Sequence, residues 1–499
     1  MTAAGRRRKF SRGEPFGNMN RVSSQPAALS RQEIGPDRGG HLPPADGAGS
    51  ASRAARPTQR RLLPPLSVGP LPLKLNFSWT LFGNLAQAAC RYATLVLLVR
   101  LSGLEAAGLY ALAMALCTPI WSLALLGLRG ALTTDARNEF AFADYLAVRW
   151  ISSAVAMIAI AAAVLLGDYG TDAVAIILLV AAAKLFENLS DIFHGRLQQH
   201  ERMDRVAVAM AIRGLGGVAL MFPAAAFIGS PVAIVAAFPL AMGATFFFWD
   251  LPSAATLDRA SGPCTPPAPF WRTPLRLTVL GRLSIVALPI AISGFLVSLI
   301  PQLPKYVIGS LLGAESVAVY SLIAYWITLG MTIVTALGNT VTPRLARYSA
   351  AGEDRAFASL LARIMLLVAA MGAAGVIAAL GLPLLGEDLL ARLGPGVADL
   401  PRVVLSLSVF AAMLYLTGPL GRALNAMRRF WGQVATRCLG IALALATLPR
   451  MVGARGLAGA ADAMAISTAV VAGLFFLNVW RRLADRPEQR TPLRIGKAA

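Results

Sequence analysis

Apolar runs of about twenty residues recur along the chain from Asn76 onward, with short polar breaks between them. A helix that rises about 1.5 Å per residue crosses the roughly 30 Å apolar core of a bilayer in about 20 residues. The pattern therefore predicts an all-α polytopic membrane protein with about twelve transmembrane helices. The predicted spans are 78–100, 107–128, 146–167, 171–192, 206–228, 230–249, 284–309, 316–338, 358–384, 402–420, 433–450 and 461–480.

Positive charge alternates between the loops that join these spans. Cytoplasmic loops of membrane proteins carry an excess of Lys and Arg, so the basic loops and both termini are predicted to be cytoplasmic. With residues inside or at the edge of a span set aside, loops after odd-numbered spans contain only Arg392 and Arg455. Loops after even-numbered spans contain Arg129, Arg137, Arg196, Arg202, Arg205, Arg259, Arg272, Arg276, Arg282, Arg344, Arg347, Arg355, Arg422, Arg428 and Arg429.

A sequence repeat indicates that the spans form two related halves. The segment from Gly103 to Leu112 shares Gly, Glu, Tyr and Leu, in register, with the segment from Gly313 to Leu322. Because six crossings return the chain to the same side, the repeat predicts two six-helix bundles related by a parallel internal repeat. The predicted domains are a basic tail (1–76), a first bundle (77–250), a cytoplasmic linker (251–283), a second bundle (284–482) and a basic tail (483–499).

The amino-terminal tail, residues 1–76, differs in composition from everything after it. It holds 13 Lys and Arg against 4 Asp and Glu, and it contains no apolar run. Such a segment has too little apolar surface to fold alone. Two interpretations are open: a tether to anionic lipids on the cytoplasmic face, or a disordered tail that is absent if translation starts later, at Met19 for example.

Composition narrows the classes of function. The chain is 56% hydrophobic and 14% charged, with a formal net charge of +21. In a soluble protein this charge would suggest nucleic acid, but here it follows the membrane topology, so we expect no nucleic-acid partner. The four cysteines and three histidines have no metal-ligand spacing, and no phosphate loop or nucleophile elbow is present. We therefore expect no metal, no cofactor and no catalytic residues.

The first span carries a polar face inside the membrane. Asn84, Gln87 and Arg91 are spaced by three and four residues, which places them on one side of a helix. An unpaired arginine at mid-membrane costs about 2.5–3.5 kcal/mol on insertion scales. Arg91 should therefore face a watery cavity, where it would bind an anion, or pair with a carboxylate on another helix.

The seventh span has a similar face with Gln302 and Lys305. In the repeat register Lys305 falls one turn from the position of Arg91, so both halves would offer a cation to a common centre. Alternatively, Lys305 extends to the outer interface. Pro289, Pro301 and Pro304 interrupt this span. Because proline removes helical hydrogen bonds, we predict a break there, and we expect the span to act as a gate.

The fourth span carries Lys184, Glu187 and Asp191. Intramembrane carboxylates commonly relay ions, so Glu187 and Asp191 are candidates for ion coupling. The simpler interpretation is a local Lys184–Glu187 pair, with Asp191 near the cytoplasmic surface. Arg213, two turns into the fifth span, is expected to extend to the cytoplasmic face rather than bind substrate.

These residues resemble a known family. The first-half pattern begins at Gly83-Asn84 and continues through Gly103 and Tyr110. Together with the second-half motifs, it resembles the bacterial oligosaccharide (Wzx-like) flippases of the multidrug/oligosaccharidyl-lipid/polysaccharide exporter superfamily, over residues 76–482. The second-half motifs are Leu303-Pro304-Lys305-Tyr306, Leu312-Gly313-Ala314-Glu315, Tyr320-Ser321-Leu322, Ala336-Leu337-Gly338-Asn339 and Pro343-Arg344-Leu345-Ala346-Arg347-Tyr348.

The resemblance implies twelve helices around a central cavity and a polyprenyl-pyrophosphate-linked oligosaccharide as substrate. Arg91 and Lys305 are the positions that match the cations expected to hold the pyrophosphate, and Asn84, Gln87 and Gln302, on the same helix faces, complete the predicted substrate site. Membrane lipids and other polysaccharide-assembly membrane proteins are the expected partners. The expected location is the bacterial inner membrane, where the protein would serve lipopolysaccharide or exopolysaccharide synthesis by alternating access. The rival functions are a cation-coupled multidrug exporter of the same superfamily and a membrane polysaccharide polymerase.

Overall fold

A computed structural model describes residues 71–134, 140–260, 277–385, 400–427 and 429–484. These residues are almost all helical, and none of them lies in a β-strand. The α-helices are α1 (Leu73–Ala124), α2 (Leu128–Thr134), α3 (Phe142–Leu166), α4 (Thr171–Gln199), α5 (Met203–Phe227), α6 (Pro231–Thr245), α7 (Leu251–Ala260), α8 (Leu277–Leu299), α9 (Leu303–Ala351), α10 (Asp354–Gly381), α11 (Leu400–Ala426) and α12 (Phe430–Ala484).

Most of the two predicted tails lies outside the described residues, as does 261–276 of the predicted linker. The two flanks of that linker are helical rather than extended. A π-helical turn, Phe246–Asp250, joins α6 to α7, and α8 begins at Leu277. Helix α7 follows this turn directly and packs Ala254 and Leu257 into the interior.

Within the described residues, nine helices are long and apolar enough to cross a membrane. Three of them contain a glycine in a conformation that only glycine adopts readily: Gly103, Gly313 and Gly456, with φ of 87°, 81° and 57°. Each glycine divides its helix into two segments, which we call α1a (73–102) and α1b (104–124), α9a (303–312) and α9b (314–351), and α12a (430–455) and α12b (457–484). Counting the chain on each side of these glycines separately, with α8 and α9a together as one crossing, gives the twelve crossings that the sequence predicts, and that count stays a prediction.

The chain folds back at the first of these glycines. A straight helix would place Arg91 and Tyr110 nearly 30 Å apart, yet both line one cavity. Gly313 has nearly the same backbone dihedral angles as Gly103, with ψ of 173° at Gly313 and 175° at Gly103. The sequence repeat is therefore also a repeat of backbone geometry.

The predicted break in the seventh span is confirmed at Pro301 and Pro304, whereas α8 continues through Pro289. Helix α8 ends at Leu299, a 3₁₀ turn covers Ile300–Gln302, and α9 starts at Leu303. Pro301 and Pro304 lie within and just after this turn, where their missing N–H groups interrupt the helical ladder.

Two large apolar clusters form the core, and they follow the two halves of the sequence. One draws mainly on α9 to α12 and the other on α1 and α3 to α6. The halves meet where α1 packs against α9. The Tyr325 hydroxyl donates to the Ala88 carbonyl (2.5 Å), and the Tyr306 hydroxyl donates to the Ala115 carbonyl (2.7 Å).

The start of α1 lies beside the connection between α4 and α5. The backbone N–H of Leu71 donates to the Glu201 carbonyl, and the Asn76 side chain accepts from the Met203 N–H at 3.1 Å. Both segments are therefore at one end of the helices, as the alternation of basic loops requires. The opposite end carries the Gly103 and Gly313 turns.

The outer surface of the spans is apolar. Leu166, Phe227 and Leu384 each have 87–90% of their surface exposed. A soluble monomer rarely shows large continuous apolar surface, whereas lipid tails accept it. The chain is therefore a multi-pass membrane protein.

Gly108 tests the contact between the halves. A Cβ at this position would lie 1.9 Å from the backbone oxygen of Ala314, so Gly108→Ala should push α1b away from α9b. We expect a loss of about 1–3 kcal/mol in stability, measured as a lower melting temperature of the purified protein. The matched control is Gly375→Ala, where the added Cβ meets open space. An equal effect of both substitutions would contradict the close contact.

Candidate functional site

A cavity lies inside the amino-terminal half, between α1, α4, α5 and α6. The space open to the centres of water molecules is about 60 Å³, room for roughly four to six waters. Apolar side chains such as Met114 and Phe238 form much of the wall. The polar and charged wall consists of Gln87, Arg91, Thr94, Tyr110, Lys184, Glu187 and Arg213.

Glu187 holds the charged part of this cavity together. One carboxylate oxygen accepts from Nη2 of Arg91 at 2.5 Å, and the other accepts from Nζ of Lys184 at 2.8 Å. Arg213 lies within electrostatic range of the same carboxylate. Three cations thus surround one anion, and the cluster has a formal charge of +2. We call these four residues the Glu187 cluster.

Arg91 satisfies both interpretations of its sequence position. It pairs with a carboxylate on another helix, and it also remains 45% exposed within the cavity wall. Its guanidinium has five N–H donors. One of them, on Nη2, donates to the Glu187 carboxylate, and no other described side chain accepts from Arg91. The ion pair therefore orients Arg91 while leaving donors available to a bound anion.

Arg213 does not extend to the cytoplasmic face, so that expectation is wrong. The side chain is only 4% exposed and lines the cavity. Its Nε–H has no hydrogen-bond partner among the described residues. Arg213 faces the interior because α5 lies close to α1: a Cβ on the neighbouring Gly214 would lie 2.9 Å from Cβ of Cys90. Position in the span indicated depth, but not the face of α5 that turns inward.

The other predicted substrate residues are divided by the structure. Gln87 lines the cavity, whereas Asn84 is exposed and donates to the Thr80 carbonyl at 2.9 Å. Gln302 lies in the 3₁₀ turn, and its Oε1 is buried without a partner among the described residues. Lys305, in the first turn of α9, is partly buried, forms no ion pair with a described residue and lies outside this cavity.

The local Lys184–Glu187 pair is present as predicted, but Asp191 belongs to a different group. Asp191 accepts from Nη2 of Arg149 at 3.0 Å and from Nη1 of Arg129 at 3.4 Å. Arg149 is fully buried and also donates to Oδ1 of Asn188 (2.7 Å) and the Leu125 carbonyl (3.0 Å). These bonds tie α2, α3 and α4 together, which makes this cluster a structural clamp.

Arg149 lies inside the third predicted span and was not predicted to have a role. The neighbouring Ser152 and Ser153 were the available signal, since they make that turn of α3 polar. The histidines were not predicted to have a role either. His194 is 2% exposed, and its Nε2 lies 3.2 Å from Oδ1 of buried Asp250. The π-helical turn positions Asp250 for this contact.

Comparisons with known proteins agree with this architecture. A family model described as polysaccharide biosynthesis protein matches residues 73–349. The capsular polysaccharide biosynthesis protein CapF of Staphylococcus aureus is 24% identical over 350 residues, which cover 69% of this chain and 83% of that protein.

Solved structures of multidrug resistance MATE family transporters of the MOP superfamily share the fold. An outward-facing one has a TM-score of 0.58 and an inward-facing one a TM-score of 0.54, each at 16% identity. They cover 82% and 83% of this chain, and 94% and 95% of their own chains. A MOP superfamily transporter from Pyrococcus furiosus, described as having a binding pocket of reverse polarity, also reaches 0.58 at 16% identity, covering 82% of this chain and 94% of its own.

The clamp predicts unequal effects of two similar substitutions. Asp191→Asn removes the anion that compensates buried Arg149, and we expect a stability loss near the lower end of the roughly 3–5 kcal/mol typical of broken buried pairs. Asp462→Asn removes the partner of Arg455, which is 53% exposed, and should cost less than about 1 kcal/mol. Thermal unfolding of both variants in one detergent provides the measurement, and similar losses would contradict the clamp.

Proposed function

This chain belongs to the polysaccharide biosynthesis protein family and has the fold of the MOP superfamily transporters, and from that premise we propose the following function. The protein is a flippase that moves a polyprenyl-pyrophosphate-linked oligosaccharide across the bacterial inner membrane for surface polysaccharide synthesis. Both termini lie in the cytoplasm, on the side of the basic loops. The substrate enters from the cytoplasmic leaflet and leaves in the outer one.

The Glu187 cluster is the observation that carries this proposal. A pyrophosphate diester bears two negative charges, and the cluster has a formal charge of +2 in a cavity walled otherwise by apolar and neutral groups. Guanidinium groups bind phosphate oxygens through two parallel N–H donors. Arg91 and Arg213 are the arginines of the cluster, and both keep donors that no described residue uses.

Two further features support transport by alternating access. The halves touch chiefly through α1 and α9, and each of these helices contains the repeated glycine turn. Relatives with this fold have been solved in outward-facing and inward-facing conformations. We propose that the halves rock about the α1–α9 contact and that the break at Ile300–Gln302 lets the seventh span bend.

A multidrug exporter of the same superfamily is the rival with the same fold. Such a protein needs an acidic group that a cationic drug can approach. Glu187 is the carboxylate in the cavity wall, and both of its oxygens are already bound by cations. Asp191 is held by Arg149 and Arg129. The electrostatics therefore favour an anionic substrate.

Lipid analysis of cells that lack the protein tests the proposal directly. Mass spectrometry should detect a polyprenyl-linked oligosaccharide that accumulates on the cytoplasmic side, because this lipid is assembled there and cannot cross the membrane without the flippase. Its mass would identify the glycan repeat. An unchanged lipid pool, in a strain without a redundant flippase, would contradict the flippase function.

Substitutions of Arg91 test the proposed pyrophosphate contact. Arg91→Ala removes a charged bidentate donor and should slow flipping roughly ten- to a hundredfold, whereas Arg91→Lys keeps the charge, loses the planar fork and should slow it less. Flipping is measured with the accumulated lipid in proteoliposomes. Arg100→Ala, also an exposed arginine of α1a, is the control.

Normal flipping by an inserted Arg91→Ala protein would make Arg91 structural. If transport instead survives Arg91→Ala but fails in a combined Glu187→Gln and Asp191→Asn protein that still inserts and unfolds cooperatively on heating, the flippase mechanism is wrong.

A further inference from the structure

The carboxy-terminal half contains a second internal cavity with a different electrostatic character. The space open to the centres of water molecules is about 30 Å³, enough for two or three waters. It is enclosed by the break in the seventh span, α11 and both segments of α12. The residues that matter for its chemistry are Thr417, Arg437, Ser467 and Thr468.

Arg437 is an intramembrane cation whose partners are all neutral. Its Nη1 donates to Oγ of Ser293 at 3.1 Å and to Oε1 of Gln433 at 3.2 Å, and its guanidinium carbon lies 5.3 Å from the centre of the Phe475 ring. No described carboxylate forms an ion pair with it. The N–H groups on Nε and Nη2 have no hydrogen-bond partner among the described residues.

The arginine is held in place rather than mobile. Gln433 is 2% exposed, and its amide nitrogen donates to Oδ1 of Asn425 at 2.6 Å, which turns its carbonyl oxygen toward Arg437. The Phe475 ring contributes a cation–π contact. A fixed guanidinium with free donors, in a pocket that Thr468 also lines, has the chemistry of an oxyanion site.

We propose that this pocket is a second anion site, which binds a phosphate or carboxylate group of the transported lipid-linked sugar. That the anionic group belongs to a lipid-linked sugar rests on the proposed flippase function, whereas the expectation that the pocket binds an anion rests on Arg437 alone. The site is separate from the Glu187 cluster, because no residue lines both cavities. An uncompensated arginine within the membrane is costly, and a bound oxyanion offsets that cost.

The pocket also touches the joint of the seventh span. Ile300 and Leu303, on either side of Pro301, line it, and Ser293 in α8 accepts a hydrogen bond from Arg437. An anion bound to the free N–H groups on Nε and Nη2 would share the guanidinium with Ser293, which accepts from Nη1. Occupancy of the pocket is thereby linked to the bend between α8 and α9.

Anion-dependent stabilisation of the full-length protein tests this site. The protein is placed in nanodiscs of zwitterionic lipid and melted at constant ionic strength with inorganic phosphate, glucuronate or neutral glucose. Phosphate, glucuronate or both should raise the melting temperature, because a ligand that binds the folded state stabilises it. Glucose should not. Stabilisation by phosphate alone identifies the phosphate group as the ligand, and by glucuronate alone an acidic sugar.

The variants decide whether Arg437 is responsible. Arg437→Gln should weaken anion affinity at least about tenfold, the loss expected for one charged hydrogen-bond pair. Arg437→Lys, which keeps the charge if the Gln variant does not fold, should weaken it less. Arg455→Gln, on the same helix but 53% exposed and paired with Asp462, should leave affinity unchanged.

Equal anion stabilisation in the wild type and Arg437→Gln, or none in the wild type, would overturn the site. Neither result depends on the lipid analysis of deletion cells, so failure of this inference and failure of the flippase function are distinguishable.

Discussion

Charge inside a membrane-embedded bundle is costly unless neighbouring groups compensate it, and Glu187 provides this compensation in the amino-terminal half. Its two oxygens bind Arg91 from α1 and Lys184 from α4, and Arg213 from α5 lies close to it. Without the carboxylate, three cations from three helices would repel one another in a cavity of low polarity. The arrangement of α1, α4 and α5 around an excess of positive charge depends on this one anion.

The two halves use their internal arginines differently. In the amino-terminal half a carboxylate neutralises one charge and leaves a net positive cluster, whereas in the carboxy-terminal half Arg437 has only neutral oxygen acceptors and an aromatic ring. The structural clamp around Asp191 is a third solution, in which the carboxylate binds buried Arg149 together with Arg129. The halves are thus similar in backbone and distinct in electrostatics.

Much of the fold could be predicted from the sequence, because hydropathy and length decide which segments enter a membrane. The break at Pro301 and the turn at Gly103 were readable for a local reason, since proline and glycine change the backbone directly. The face of a helix that turns inward was not readable. The inward face depends on contacts between distant segments, such as the close approach of Gly214 to Cys90. Those contacts place Arg213 in the cavity wall and leave Asn84 exposed.

The equal turns at Gly103 and Gly313 bring the two copies of the repeated segment against each other, with Gly108 of one copy facing Ala314 of the other. The atom that a side chain at position 108 would strike belongs to the backbone of residue 314, which every amino acid possesses. No substitution at position 314 can relieve that collision. The two copies are therefore free to diverge in charge and side-chain chemistry, but at this crossing any departure from glycine in the first copy has to move the backbone of the second, whatever side chain the second one carries.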